Sequence, residues 1–192
     1  MVAPGPPAAV TISVLSGSSI LVDVSASSST GGDEINKYRV EWDTAPTFDS
    51  GVGAAPAFVH DIEHLRGGSP YSYVLRNLNM GVAYYVRVRA HNSIGFSEPR
   101  ASSPPFEVPR QIPSAPNSVR LGVTSDTMLT VGFTPPSNVG GDDILSYVVE
   151  WDRLRTFDGL CSPCTNSQRG LVEVPAASAA FFTITGLSPG VP

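Results

Sequence analysis

The chain contains the stretch GGDEINKYRVEWD at residues 31–43 and repeats it as GGDDILSYVVEWD at residues 140–152. The two copies lie 109 residues apart, and 12 of the 19 residues from 31 to 49 are identical to their counterparts. Each copy begins with two glycines, which favour a turn, and continues with apolar residues at every second position, which predicts a β-strand. The sequence therefore predicts a tandem repeat whose unit contains a turn followed by a strand.

The composition limits the classes of protein to which the chain can belong. It has 192 residues, so the repeat divides it into two units near the usual size of a domain. The net charge of −5 argues against nucleic acid and against an anionic membrane surface as partners. No apolar run approaches the roughly 18 residues that span a bilayer, so we expect no membrane insertion in this segment. No pattern indicates a cofactor.

Alternating apolar residues recur along the chain and are separated by turn residues. They occupy positions 10–14, 20–24, 38–42, 71–75 and 84–90 in the first unit. No stretch has a helical period with caps. Short strands with turns between them predict an all-β sandwich.

The repeat also predicts the domain boundaries. Residues 1–7 form a Pro-rich leader, residues 8–108 the first domain, residues 109–116 a Pro-rich linker and residues 117–192 the second domain. The second domain lacks counterparts of the last two strands of the first. We therefore expect an open edge beside the strand that ends at Trp151, completed by residues outside this chain or, as the alternative, by a strand from a neighbouring molecule.

Four stretches together resemble the fibronectin type III domain. Residues 129–136 resemble its second strand, residues 140–151 its turn and third strand, residues 78–84 its tyrosine corner, and residues 86–95 its sixth strand and exit turn. The resemblance covers nearly the whole chain. It implies two immunoglobulin-like sandwiches in tandem, the second truncated before its last two strands.

The chain departs from the family pattern at the second strand, where Phe133 and, in the first unit, Val24 replace the usual Trp. Both units also have a longer loop after the third strand. The EWD and TFD pattern resembles long arrays of such domains in surface proteins of microbial eukaryotes. The resemblance implies a core signature made of Tyr38, Val40, Trp42, Tyr84, Val86, Val88, Phe133, Tyr147, Val149, Trp151 and Leu187.

The resemblance also implies a pairing on the outer side of the sheet. The third and sixth strands would be antiparallel neighbours, with Tyr38, Val40 and Trp42 turned inward. Glu41 would then lie beside Arg87 or Arg89, and such a cross-strand pair contributes roughly 0.2–1 kcal/mol.

The acidic Gly-Gly turn resembles the signature of diguanylate cyclases. That enzyme requires a mixed α/β domain, which this sequence does not predict, so we interpret the motif as a turn before a strand. The four acidic side chains of the two turns are also candidate calcium ligands, but they lack the ordered spacing of a calcium loop: Asp33, Glu34, Asp142 and Asp143. A solvated turn is the preferred interpretation.

Residues 60–64 read HDIEH, which is the spacing of one class of zinc protease. That mechanism requires both histidines on one helical face, together with a third ligand. We expect this segment to lie in a surface loop between strands, with an adventitious metal site as the alternative.

The two cysteines, Cys161 and Cys164, form a C-x-x-C motif. A zinc site would need a second pair, and a thioredoxin-like motif would need a βαβ setting. A local disulfide in a loop is the simplest prediction, while free thiols and a redox or metal role remain alternatives. The first unit has Val52 and Ala55 at the equivalent positions, so the fold does not require the pair.

The sequence predicts a non-catalytic structural or adhesion module, forming part of a larger and possibly filamentous extracellular or cell-surface protein. It would act as a spacer and as a scaffold for protein–protein contacts, with neighbouring repeats or other copies as partners. One alternative is an accessory domain pair of a secreted enzyme, such as a carbohydrate-active one. A second alternative is an intracellular scaffold array. The chain has no RGD motif to support integrin-type adhesion.

Overall fold

A computed structural model describes residues 1–63, 70–157, 165–166, 169–178 and 181–190. The chain forms two compact units, Met1–Gln111 and Ile112–Pro192, called unit 1 and unit 2 below. The described residues are β-strands, turns and one 3-10 segment at Ala176–Ser178, with no α-helix among them. The prediction of an all-β fold is confirmed.

Unit 1 has seven strands in two antiparallel groups. The groups have the order β4-β3-β6-β7 and β1-β2-β5, and a parallel bridge between Thr11 and Ser103 joins β1 to β7. The strands are β1 (Pro7–Ser16), β2 (Ser19–Ser27), β3 (Lys37–Asp43), β4 (Phe58–Glu63), β5 (Tyr71–Leu75), β6 (Tyr84–His91) and β7 (Arg100–Glu107).

The core of unit 1 lies between its two groups of strands. Tyr38 and Val40 on β3 are buried, and so are the four inward residues of β6, which are Tyr84, Val86, Val88 and Ala90. Trp42 packs against this core and is partly buried. Alternation along β3 and β6 thus places one row of apolar side chains in the core and leaves the other row on the outer face.

Two local features fix how the chain enters β3 and β6. Gly31 and Gly32 have φ angles of 72° and 83°, a left-handed conformation that favours glycine, so the Gly-Gly stretch is a turn as predicted. Before β6, the hydroxyl of Tyr84 accepts a hydrogen bond of 3.0 Å from the backbone N–H of Asn79.

One expectation about unit 1 was wrong, and one strand start was not predicted. The HDIEH segment does not lie in a loop, because residues 60–63 belong to β4, which pairs with β3 throughout. The last strand, β7, starts at Arg100, and its start was not predicted from the sequence. Both strands lie at positions where the apolar alternation is weak, so the sequence pattern did not reveal them.

Unit 2 repeats the first five strand positions. Its described strands form one sheet of order β13-β9-β8 and another of order β10-β12-β11. They are β8 (Ser118–Ser125), β9 (Met128–Thr134), β10 (Ser146–Asp152), β11 (Thr165–Asn166), β12 (Arg169–Pro175) and β13 (Phe181–Ile184).

The core of unit 2 is smaller than that of unit 1. Phe133, Val149 and Val174 form its buried apolar cluster, Tyr147 and Trp151 pack against them while partly exposed, and Ile184 is buried as well. Leu187 is also partly exposed, and its N–H donates to the carbonyl of Thr127. Among the residues that the structure describes, none forms a counterpart of β6 or β7.

The pairing of β10 differs in register from that of β3. Glu41 on β3 faces Val59, whereas its counterpart Glu150 faces Leu171, three residues beyond the position equivalent to Val59. Val22 faces Tyr73, and its counterpart Val131 faces the equivalent Phe182. In unit 2 the connection from β10 to β12 is therefore three residues longer than its counterpart in unit 1. The connection from β12 to β13 is shorter by the same number of residues.

Candidate interaction surfaces

The outer face of the four-stranded group in unit 1 carries a network of charged side chains on β3, β4 and β6. Two carboxylates bind four cationic side chains within it. We call this network the charged ladder, and its members are Lys37, Arg39, Glu41, Asp61, Arg87 and Arg89.

Glu41 is the carboxylate at the centre of the charged ladder. It is buried, and it lies 2.5 Å from Nε of Arg87 and 3.4 Å from Nε of Arg89. The guanidinium of Arg87 also lies 4.2 Å from the centre of the buried Phe48 ring. The predicted pairing of Glu41 with the arginines of the sixth strand is therefore confirmed.

Asp61 is the second carboxylate of the charged ladder. It accepts hydrogen bonds from Nε and Nη2 of Arg39, at 2.7 and 3.0 Å, and from Nζ of Lys37 at 2.7 Å. The hydrogen bonds from Arg39 lower the pKa of Asp61 to about 2, with Lys37 adding to the effect and partial burial opposing it.

An Asp61→Asn variant is expected to lower the free energy of unfolding of unit 1 by about 1–2 kcal/mol at pH 7, a value reduced for the partial exposure of the carboxylate. Because the folded pKa lies below that of the unfolded chain, the wild type holds this stability above about pH 4 and loses it as the pH falls towards 2. The difference between the two proteins should therefore shrink steadily from pH 4 to pH 2 and disappear only below the folded pKa, as measured by urea denaturation across this range.

Glu63 provides the matched control, because it is an exposed carboxylate on the same strand. A Glu63→Gln variant should change the unfolding free energy by less than about 0.5 kcal/mol at any pH. A constant difference between wild type and Asp61→Asn from pH 7 to pH 2 would contradict the assigned ion pairs.

Asn92 holds the N-terminal segment against the end of β6. Its fully buried side-chain amide donates to the carbonyls of Val2 and Thr30, at 2.8 and 3.0 Å. Its side-chain oxygen accepts from the N–H groups of Ile94 and Gly95, at 3.0 and 3.2 Å. Asn92 lies in the predicted exit turn, but its hydrogen bonds to Val2 and Thr30 were not predicted from the sequence.

An Asn92→Ala variant is expected to lower the free energy of unfolding of unit 1 by about 2–3 kcal/mol, because it leaves partly buried backbone groups without partners. Asn36→Ala is the control, since Asn36 is exposed and its side chain forms an exposed hydrogen bond of 2.8 Å with His91. That control should lose less than about 1 kcal/mol. Equal losses in thermal and urea denaturation would contradict the role of Asn92.

The structure separates the residues of the zinc-protease motif. His60 stacks on Tyr73 with ring centres 4.1 Å apart, and Glu63 lies an odd number of positions away on the same strand, so the two point to opposite faces. Within the described residues, no group of three or more His, Cys, Asp or Glu side chains could hold a metal ion. His64, Cys161 and Cys164 lie outside the described residues, so the disulfide stays a prediction.

The acidic turns contain no helix or metal cluster in the described part of the chain. Asp33 is partly exposed, and its pKa is lowered by the hydrogen bond from the side chain of Ser93 and by the one from the Ser93 N–H, which is 2.9 Å long. This contact links the turn before β3 to the turn after β6.

Among the residues that the structure describes, no helix is long and apolar enough to cross a membrane.

The fold and its surfaces define a β-sandwich module, and the comparisons identify its family. The family model for the fibronectin type III domain matches residues 5–106, which is more than half of the chain. The chain therefore belongs to the fibronectin type III family. The matched residues lie within unit 1, part of whose sequence is repeated in unit 2.

The similar proteins are much longer than this chain. Myosin-binding protein C, slow-type, is 33% identical in Rattus norvegicus over 108 residues, which are 55% of this chain and 17% of that protein. The Homo sapiens protein is 34% identical over 119 residues, covering 56% of this chain and 10% of the relative. A Kelch domain-containing protein of Saccharolobus solfataricus is 29% identical over 124 residues, which are 65% of this chain and 15% of that protein.

These relatives correct the predicted location. The sequence predicted an extracellular or cell-surface protein, and that prediction is wrong. The relatives from rat and human are named for binding myosin, which is an intracellular motor protein, so they point to the inside of the cell. Their names support a structural or protein-interaction role without the extracellular setting.

Proposed function

We propose that this chain is a non-catalytic spacer and protein-interaction scaffold within a longer polypeptide that carries further domains. The observation that carries the proposal is the repetition of a fibronectin type III unit in a chain that spans only 17% and 10% of its myosin-binding relatives. Repeated modules of this kind set length by their number and make contacts through their faces.

The size of the native polypeptide tests this proposal. An antibody raised against unit 1 should detect, on a denaturing gel of source cells, a band far above the 20.2 kDa of this chain. Mass spectrometry of that band should then identify further repeats. A band at the mass of the chain alone would contradict the proposal.

The same experiment tests a second candidate function, an accessory domain pair beside a different kind of domain. The Kelch domain-containing relative favours it, because its name gives a domain of another kind in the same protein. Peptides from an unrelated domain in the band would support this candidate, and peptides from additional fibronectin type III repeats would support the scaffold array.

The relatives from rat and human are named for binding myosin. Myosin is therefore the first protein to test as a binding partner of this chain. Purified chain should sediment with myosin filaments in a saturable manner. A charge-reversed Arg39→Glu variant on the charged ladder would show whether that face makes the contact. Its control is Arg120→Glu, on an exposed position of unit 2.

A further inference from the structure

Two arginines of the charged ladder are held in place on the outer face of unit 1. Nε of Arg39 donates to Asp61 at 2.7 Å, and its guanidinium lies 4.2 Å from the centre of the Phe96 ring. Arg87 repeats this arrangement with Glu41 at 2.5 Å and with a buried ring at 4.2 Å. Each guanidinium is therefore fixed by a carboxylate and by an aromatic ring, so little side-chain freedom remains to be lost on binding.

Both guanidinium groups keep donors that the protein does not use. A guanidinium has five N–H donors, and within the described residues only Nε and Nη2 of Arg39 and Nε of Arg87 donate hydrogen bonds. The two side chains are 32% and 22% exposed, so solvent reaches each of them in part. The unused donors suit a carboxylate, which accepts short, charge-assisted hydrogen bonds from a guanidinium.

The pairing of β3 with β6 sets the distance between the two arginines. Arg39 lies opposite Arg89, and Arg87 lies opposite Glu41, so Arg39 and Arg87 are diagonal neighbours. The Cα atoms of diagonal neighbours are about 7–8 Å apart. Side chains two positions apart on an extended segment are separated by roughly 7 Å. The two arginines therefore fit two carboxylates at alternate positions of an extended segment.

The charge of this face favours an acidic partner. The charged ladder has four cationic and two anionic side chains, and the exposed Glu63 lies opposite Lys37. Asp43, at the end of β3, is fully buried, and its carboxylate accepts hydrogen bonds from three backbone N–H groups. Without this buried group the face keeps one positive charge in excess, in a chain whose net charge is −5.

Apolar side chains flank the arginines on the same face. Val59 on β4 lies opposite Glu41 and is 48% exposed. Phe106 on β7 is 42% exposed and packs on Tyr85, with ring centres 5.5 Å apart. Because Tyr85 pairs with Phe106 and lies two positions before Arg87, this aromatic pair is the next step along the same diagonal. Arginine and aromatic side chains together are typical of a protein interface.

We propose that the outer face of unit 1 binds an extended acidic segment of a partner protein. Two carboxylates of the segment, separated by one residue, bind Arg39 and Arg87. An apolar residue two positions further along packs on Phe106. The inference rests on the proposed interaction role and specifies the partner of the charged ladder.

Synthetic peptides added to the 192-residue chain test this inference. The probe has two aspartates separated by one threonine, followed two positions later by a tyrosine. One control peptide has the same residues with the aspartates adjacent, and another has lysine in place of each aspartate. In an NMR titration the probe should bind saturably and shift the Nε–H signals of Arg39 and Arg87. The first control should bind about threefold or more weakly, and the lysine peptide should not bind.

Variants of the chain locate the site. Arg39→Gln should weaken binding of the probe about fivefold or more, and Arg39→Lys should recover only part of it, because lysine keeps the charge but lacks the planar fork. Arg87→Lys should also weaken binding, and it keeps a cation beside the buried Glu41, so the fold is retained. Arg76→Gln is the control, since Arg76 is exposed and lies outside the charged ladder, and it should leave binding unchanged.

Each result supports or overturns the inference. Saturable binding that the changes at Arg39 and Arg87 weaken and the change at Arg76 does not would support it. Absence of saturable binding, or equal binding of the two aspartate peptides, would overturn it. Displacement of the probe by sulfate well beyond that by chloride at equal ionic strength would also overturn it, in favour of a general anion site. Because the mass of the parent polypeptide is measured separately, failure here leaves the proposed function standing.

Discussion

A Tyr38→Ala variant is expected to lower the free energy of unfolding of unit 1 by about 3–5 kcal/mol, since it leaves a large cavity at the centre of the core. Tyr38 is fully buried on β3, and its ring centre lies 5.1 Å from that of Tyr71. Its hydroxyl accepts a hydrogen bond of 3.1 Å from the N–H of Ser27. The loss is to be measured by urea denaturation followed through the NMR signals of unit 1.

Two control variants separate the contributions to this loss. Tyr38→Phe removes only the hydroxyl and should lose about 1 kcal/mol. Tyr147→Ala changes the counterpart in unit 2, where the ring is partly exposed and packs on Phe133 at 4.7 Å. It should leave the stability of unit 1 unchanged. A loss below about 1 kcal/mol for Tyr38→Ala would contradict the central place of this ring in the core.

The sequence predicts those strands that have one buried face and one solvent-exposed face. On β3 and β6 the inner residues must be apolar and the outer residues polar, so the alternation is visible in the sequence. On the edge strand β4, Phe58 and Val59 are both about half exposed, and the alternation disappears. This strand and Asp61, its contribution to the charged ladder, were therefore missed.

Other features depend on tertiary contacts that no local pattern records. The contact between Asn92 and Val2 joins residues at opposite ends of unit 1, and nothing near either residue identifies its partner. The register shift at Glu150 is hidden for a different reason. The connection before β12 is longer than in unit 1 and the connection after it is shorter by the same amount. The two sequences therefore align without a gap, although β10 pairs with residues other than the equivalents of those that pair with β3.

A Gly31→Ala variant is expected to be the most disruptive single change in the turn before β3, with a loss of about 2–4 kcal/mol in the stability of unit 1. Gly31 has a φ of 72°, where an L-residue is disfavoured by about 1–2 kcal/mol. A Cβ at this position would also lie 2.2 Å from the backbone oxygen of Val2. The N-terminal segment would have to move, which would break the hydrogen bond from Val2 N–H to the carbonyl of Gly31 and the one from Asn92 to Val2.

Gly32→Ala separates the two parts of this effect. Gly32 has a φ of 83°, so alanine suffers a similar backbone penalty there, but its Cβ would meet no atom closer than 4.0 Å. It should therefore lose only about 1–2 kcal/mol. Hydrogen exchange provides the discriminating measurement, since the amide of Val2 should lose protection in Gly31→Ala and keep it in Gly32→Ala. Equal stability and equal protection in the two variants would show that the turn requires its first glycine only for its backbone angle, and not for the close approach of the N-terminal segment.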